Sequence, residues 1–368
     1  MTMSKLSFLA VAVLALAFGT AEAGSLVFRF RDSAGNMHNI TSMEDARRLF
    51  STRDGRGNSF IPDYKTYKIF KLYLDDVSAV KRRVKDIGHD ITVTVNASEA
   101  DAFSPGSWST GPDIQIQTWD SHRAISTLAH EVGHSYMKDK CGKFPTDNLP
   151  AGQTMYGPDN KHYLTEILNP RTAFLEAYAE LHGDLEGSGQ ERVGCPGQGG
   201  LEQLVRETNR TYVDAEGKTQ STYDFTPWKD IASADDMWAT ESINAAMLRD
   251  FARRLPKGAA KVEEFVCSDT LQDAIKAWVA KYPEDAAGIA RIVDANTNYL
   301  MSDADLKALT GANDYVDKER AGLKAKYQGK NPCDTVKELF TAGSGGGLPG
   351  GGEGTGPGGT GKGMKRFR

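Results

Sequence analysis

Apolar residues recur along this chain with two different periods, and the change of period divides it. Near the start, "SLVFRFRDSAGNMHNIT" alternates apolar and polar residues, which predicts two short strands about a turn at Ser33 to Gly35. "TSMEDARRLF" then predicts a helix, with Thr41 and Glu44 spaced as a capping box, and "GRGNSFIP" reads as a loop. From Asp63 to Ile87 the apolar positions Tyr67, Phe70, Leu74, Val77, Val80, Val84 and Ile87 follow a helical period and predict a long amphipathic helix. "DITVTVN" and "DIQIQTW" return to alternation and predict strands, with the turn-rich "SEADAFSPGSWSTGP" between them.

Helices dominate the rest. "DSHRAISTLAHEVGHSYMKDK" predicts one starting near Asp120, and a Gly- and Pro-rich crossing over 142–160 leads to a second, "NPRTAFLEAYAELHGD". Asn169 is its expected N-cap and Pro170 its first helical residue. After "GCPGQGG" the pattern is almost entirely helical, over 234–254, 270–281, 286–299 and 313–327. Strands first and helices afterwards predict an α+β fold. The expected division is residues 24–140 as an α+β lobe and 141–341 as a mostly helical lobe, with a Gly-rich tail over 342–368 that cannot bury a core.

Composition adds the compartment and removes some partners. The formal net charge of -5 gives no general attraction to nucleic acid. Residues 1–23 carry an early Lys5, an apolar run from Leu6 to Phe18 and Ala21-Glu22-Ala23, the pattern of a secretory signal cleaved after Ala23. That run is too short to span a membrane, and no later segment could, so the expected location is secreted or periplasmic. Export makes the four cysteines candidates for disulfides. Keeping each pair within one subdomain predicts Cys141 with Cys195 and Cys267 with Cys333.

The candidate chemistry lies on two of the predicted helices. In "HEVGH", His130 and His134 stand four apart, so on a helix they are separated by about 40° and ~6 Å and can reach one metal ion. Ala124, Ile125, Leu128, Ala129, Val132 and Tyr136 form an apolar face on the other side, while the small Gly133 flanks the histidines. Glu131 is turned to the side, where a general base is needed. A catalytic zinc site usually has three protein ligands. The helix from 169 is apolar on most of its circumference, which makes the strip of Glu176 and Glu180 expensive to bury unless a cation faces it. Glu176 is therefore the expected third ligand, and Glu180 the expected acceptor for the other nitrogen of a liganding histidine. His182, Asp147 and Asp159 compete as ligands, although His182 lies roughly 120° round the helix from Glu176. All seven histidines lie at or before position 182, so an oxyanion donor is expected from a tyrosine, Tyr156 or Tyr163, unless His162 supplies it. The strand "DIQIQTW" is the expected sheet edge, holding an extended substrate along residues 114–118.

"HEVGH", "TMYG" and "FLEAYAELH", taken together, resemble the gluzincin peptidases typified by anthrax lethal factor and the pro-pro endopeptidases. The resemblance covers roughly residues 90–185. It implies a zincin-like fold, one Zn2+ held by His130, His134 and Glu176, Glu131 as general base and Tyr156 as oxyanion phenol. The implied activity is hydrolysis of a protein or peptide substrate. "PDNKHYLTEIL" intervenes before the glutamate helix, a departure from the family spacing that keeps Tyr163 as an alternative to Tyr156. A reading from another class is an exported zinc-binding or adhesion protein on the same scaffold.

Overall fold

The computed structural model describes residues 24–31, 36–53, 55–57, 59–60, 80, 83–96, 107–109, 113–116, 124–155, 167–186, 211–213, 219–221, 232–330, 335 and 338–339. The leader over 1–23, most of the helix expected over 63–87, Gln117, Tyr156, Asp159, His162, Tyr163, Cys195, Cys333 and the Gly-rich tail lie outside them.

Strands and helices are both present, and helices predominate. Strands β1 (Leu26–Arg31), β2 (Met37–Ile40), β5 (Ile91–Asn96), β6 (Ser107–Ser109) and β7 (Asp113–Ile116) form one mixed sheet in the order β2-β1-β5-β7-β6. β1 and β2 are antiparallel neighbours, as the alternation about Ser33 to Gly35 predicts. β5 runs parallel to both β1 and β7. A parallel pair needs a long crossover, which the chain between β1 and β5 supplies. Val80, Val84 and Ile87 on that crossover are buried with the inward residues Phe28, Ile91, Val93 and Ile114 of the sheet.

Around the sheet, local reading fails in three places. Helix α1 (Met43–Phe50) is capped by Ser42, whose side chain accepts from the Asp45 N–H, so the box lies one residue beyond Thr41 and Glu44. Ser42 is the last extended residue, which makes it the cap. Part of the predicted loop pairs as a minimal ladder of β3 (Thr52–Arg53) and β4 (Ser59–Phe60). The third failure bears on substrate binding. β7, with Gln115, is an interior strand, because β6 from the turn-rich segment pairs antiparallel along its outer side. Three residues are too few for alternation to register, so β6 is invisible to a periodicity argument.

Helix α2 (Ala124–Cys141) carries the histidine motif, and α3 (Pro170–Glu186) packs directly along it. Further on come a short hairpin of β8 (Thr211–Val213) and β9 (Thr219–Ser221), then α4 (Ala234–Trp238) and α5 (Glu241–Arg254). The helix expected over 234–254 is broken between α4 and α5 because Ala239 and Thr240 turn aside to pair with Ile167 and Leu168, just ahead of α3. Helices α6 (Gly258–Glu264), α7 (Leu271–Lys281), α8 (Ala286–Asn296), α9 (Asp303–Thr310), α10 (Asn313–Tyr315) and α11 (Ala321–Tyr327) complete the described chain. No helix among the described residues is long and apolar enough to cross a membrane.

Two hydrophobic cores result, and they part within α2. Leu128, Ala129 and Val132 pack with the sheet, whereas Met137 belongs to the helical core of Phe174, Tyr178, Met247 and Phe251. Tyr136 touches both. Gly24 closes the first core from below. A Cβ there would stand 2.3 Å from the His89 carbonyl oxygen and 2.8 Å from those of Ile87 and Val84, so no larger residue fits.

The disulfide differs from expectation. Cys141, at the end of α2, is bonded to Cys267, with Cα atoms 5.3 Å apart. Neither expected pairing, Cys141–Cys195 or Cys267–Cys333, is made. The turn after α6 is folded against the end of α2, where Lys140 donates to the Glu263 carbonyl at 2.5 Å. That packing chooses the partner, and nothing in the spacing of the cysteines encodes it. The bond closes a sequence separation of 126 residues, for which chain entropy assigns about 5 kcal/mol of stabilisation as an upper figure. Changing Cys141 and Cys267 to Ser together should lower unfolding stability by a few kcal/mol, read by denaturant titration against the oxidised parent.

Candidate metal centre

Two helices build the site, each oriented by its own ends and apolar face. Leu128, Ala129 and Val132 press α2 against the sheet, so the strip bearing His130 and His134 is left to face α3. Gly142, at φ 69°, ends the helix, its N–H donating to the Lys138 carbonyl at 2.8 Å. Asn169 caps α3 as expected, its side-chain oxygen accepting from the N–H groups of Arg171 and Thr172 at 3.1 and 2.9 Å. The Asn169 amide also donates to the Thr154 carbonyl at 2.7 Å, tying down the chain that approaches α3. Ala173 through His182 are all buried, in keeping with a helix apolar nearly all the way round.

Gly133 sets how closely the helices meet. A Cβ on it would lie 2.9 Å from the His182 Cβ and 3.1 Å from the Ala179 Cα. The missing methyl lets α3 approach until Glu176 lies between the two histidines. His130 Nε2 and His134 Nε2 are 3.1 Å apart, and each is 3.2 Å from Glu176 Oε2. The three atoms form a nearly equilateral triangle and are the metal-capable group among the described residues. Ligands about 2.0–2.1 Å from a tetrahedral zinc would be roughly 3.3 Å apart, so the triangle is close to the size an ion requires.

Positive charge suits that triangle. His130 Nδ1 stands 3.1 Å from Glu180 Oε1. If Nδ1 carries the proton toward Glu180, neutral His130 presents a lone pair at Nε2 to a carboxylate oxygen. If instead both Nε2 atoms donate to Glu176, one carboxylate oxygen accepts from two donors whose nitrogens are 3.1 Å apart. A cation at the centre would meet a lone pair from each of the three. The charge balance agrees: Glu131, Glu176 and Glu180 are 3%, 3% and 6% exposed, and buried carboxylates require compensation. Burial by itself would lower the His130 pKa, but hydrogen bonds with Glu176 and Glu180, and the charge of Glu131, carry it well above the ordinary value. The surroundings favour positive charge at this point, which a proton or a metal ion can supply.

Glu131 Oε2 is buried with no hydrogen-bond partner among the described residues, an expensive state for a carboxylate whose only purpose is packing. Of the competing ligands, Asp147 is occupied elsewhere, accepting from Lys138 at 2.7 Å and from the Phe144 N–H at 3.0 Å. His182 points away from the triangle as its helical angle predicts, its Nε2 3.1 Å from the Tyr178 hydroxyl. Asp159 and both candidate phenols, Tyr156 and Tyr163, fall outside the described residues. Two neighbours carry no sequence signal. Phe144 sets its ring edge-on to His134 at 6.3 Å between centroids, and Glu263 reaches the back of α3 from α6, bonded to Tyr178 at 3.0 Å.

No protein-family model matches this chain, and neither a curated protein nor a solved structure matches it. The residues therefore carry the functional argument.

Gly133→Ala should weaken divalent-metal affinity at least tenfold by forcing α3 outward, and Glu180→Ala by about 10- to 100-fold by freeing the His130 ring. Isothermal titration with Zn2+ would measure both, and unchanged affinity in the glycine variant would contradict the close-approach argument.

Proposed function

We propose that the chain is an exported zinc-dependent endopeptidase with a zincin-like arrangement of sheet, metal helix and helical lobe. The observation that carries this reading is the triangle of His130, His134 and Glu176 with a buried, unpartnered carboxylate oxygen of Glu131 beside it. The resemblance of the motifs to gluzincin peptidases points the same way.

A zinc ion held by those three residues would supply Lewis-acid polarisation of a peptide carbonyl and lower the pKa of a bound water. Glu131 is the general base in this scheme: its Oε2, without a hydrogen-bond partner among the described residues, is placed to take a proton and deliver it to the leaving amine. Glu180, whose Oε1 is 3.1 Å from His130 Nδ1, would favour the tautomer with Nδ1 protonated and leave Nε2 as the ligand atom. Tyr156, or Tyr163, is the proposed donor to the oxyanion. Leader, disulfide and the absence of a spanning helix among the described residues fit an extracellular or periplasmic setting.

The substrate-binding strand moves by one from the expectation. β6 is the outermost strand and packs against α2, so its outer backbone groups are the ones an extended peptide could pair with. A binding protein that holds zinc without catalysis is the second reading. The buried Glu131 favours the enzyme, because a site that only binds metal gains nothing from a third carboxylate whose Oε2 has no partner among the described residues.

Glu131→Gln should keep one zinc per chain and lose cleavage by at least 10³-fold, measured on a diverse peptide library with and without chelator. Chelator-sensitive cleavage that survives the change would sink the mechanism. Proline placed singly at 107, 108 and 109 should divide by strand parity. Where the lost N–H faces β7, thermal stability falls; where it faces outward, KM rises with the melting temperature unchanged. If no position raises KM alone, β6 does not hold substrate.

A further inference from the structure

His182 has no role in the chemistry above, yet it is only 1% exposed and densely contacted. Its Cβ and Cγ lie against the space that Gly133 leaves open on α2. Its ring is 5.7 Å from that of Tyr136 on α2 and 4.9 Å from that of Tyr178 on α3. His182 Nε2 is 3.1 Å from the Tyr178 hydroxyl and 3.7 Å from Glu263 Oε1. Tyr178 in turn donates to Glu263 Oε2 at 3.0 Å. We propose that His182 is a positioning residue of the metal centre. It is a peg seated between Gly133 and Tyr136, held at its outer end by Tyr178 and Glu263, that fixes the register of α3 on α2. This rests on the reading of His130, His134 and Glu176 as metal ligands.

The lever is short. His182 is six residues from Glu176 and two from Glu180 on one rigid helix, and the peg's socket, Gly133, adjoins His134. A slide of one residue along α3 moves it ~1.5 Å, enough to break a triangle whose sides are 3.1 and 3.2 Å. Apolar packing alone tolerates such slides, since Ala, Leu and Tyr side chains repack over several registers. A buried imidazole whose Nε2 meets the Tyr178 hydroxyl at 3.1 Å and the Glu263 carboxylate at 3.7 Å does not, because a slip breaks that directional contact.

Glu263 is equipped to hold the outer end still. Arg83, from the sheet lobe, pairs with its Oε1 at 3.0 Å and lies 4.7 Å over the Tyr136 ring. Lys140 of α2 binds its backbone carbonyl, and the disulfide at Cys267 anchors the turn that follows α6. Burial alone would raise the Glu263 carboxyl, but His182, Arg83 and Tyr136 bring it down to about 2. The carboxylate is therefore ionised over the whole neutral range, and its contribution is lost only as pH falls from the ordinary carboxylate range toward that value.

Co2+ in place of zinc reads the geometry directly, through its dissociation constant and its d–d absorption. The full mature chain would be titrated as wild type, Glu263→Gln, His182→Phe and the double variant. Tyr315→Phe, which loses a buried bond to Asp294 among the last helices, is the stability control. Each single change should weaken Co2+ about tenfold and alter the d–d band. The double should be no weaker than either, because both act through one peg. The control should lower the melting temperature and leave Co2+ binding as in wild type. Wild-type affinity and spectrum in both single variants, however far their melting temperatures fall, would overturn the proposal, as would additive losses in the double. Should His182→Phe fail to fold, the near-isosteric Glu263→Gln decides by the same criterion. A wild-type chain that takes up no Co2+ would instead remove the metal-centre reading itself, before any variant is compared.

Discussion

Three carboxylates buried beside two imidazoles impose the condition on which the α2–α3 pair depends. Glu131, Glu176 and Glu180 are withdrawn from water, and charges so withdrawn destabilise a helix pair by several kcal/mol unless cations or hydrogen bonds answer them. Glu180 is answered by the His130 Nδ1, and Glu176 by both Nε2 atoms. That arrangement holds three polar atoms in mutual contact around a point that favours positive charge. A proton or a bound ion can supply it, so the packing of these two helices and the capacity to hold a metal are one problem.

The centre also lies at the seam of the molecule. The sheet core claims the first part of α2 and the helical core its end, so the metal-capable residues are gripped from both sides. Gly133 allows the approach, the Cys141–Cys267 bond holds the far end of α2 to the turn after α6, and Glu263 joins α2, α3, α6 and Arg83. These contacts lie beyond the ligands themselves. They convert two apolar helices, which could slide, into a pair with one register.

Much of this site was legible along the chain because its logic is local. Four-residue spacing placed His130 with His134 and Glu176 with Glu180, and the Asn169-Pro170 start fixed where the second helix begins. The apolar circumference of that helix already marked Glu176 and Glu180 as carboxylates in need of a partner. The partner's location was not local. It depended on Gly133 meeting Ala179 and His182, residues that no spacing rule connects. β6 escaped notice for a different reason: a three-residue strand has no period, and only its pairing along β7 defines it.

Sequence alone determined the chemical types and the faces on which they stand: two imidazoles and a carboxylate on one helix, two carboxylates on another, sheet before helices. Tertiary structure decided which distant elements touch. It chose Cys267 for Cys141, made β7 interior and β6 the edge, and drew Glu263 and Arg83 to the back of His182. The division has a physical basis. Helical and strand periods are properties of the backbone and repeat within a few residues, whereas pairing between lobes is selected by the packing of whole surfaces, where no single residue carries the address.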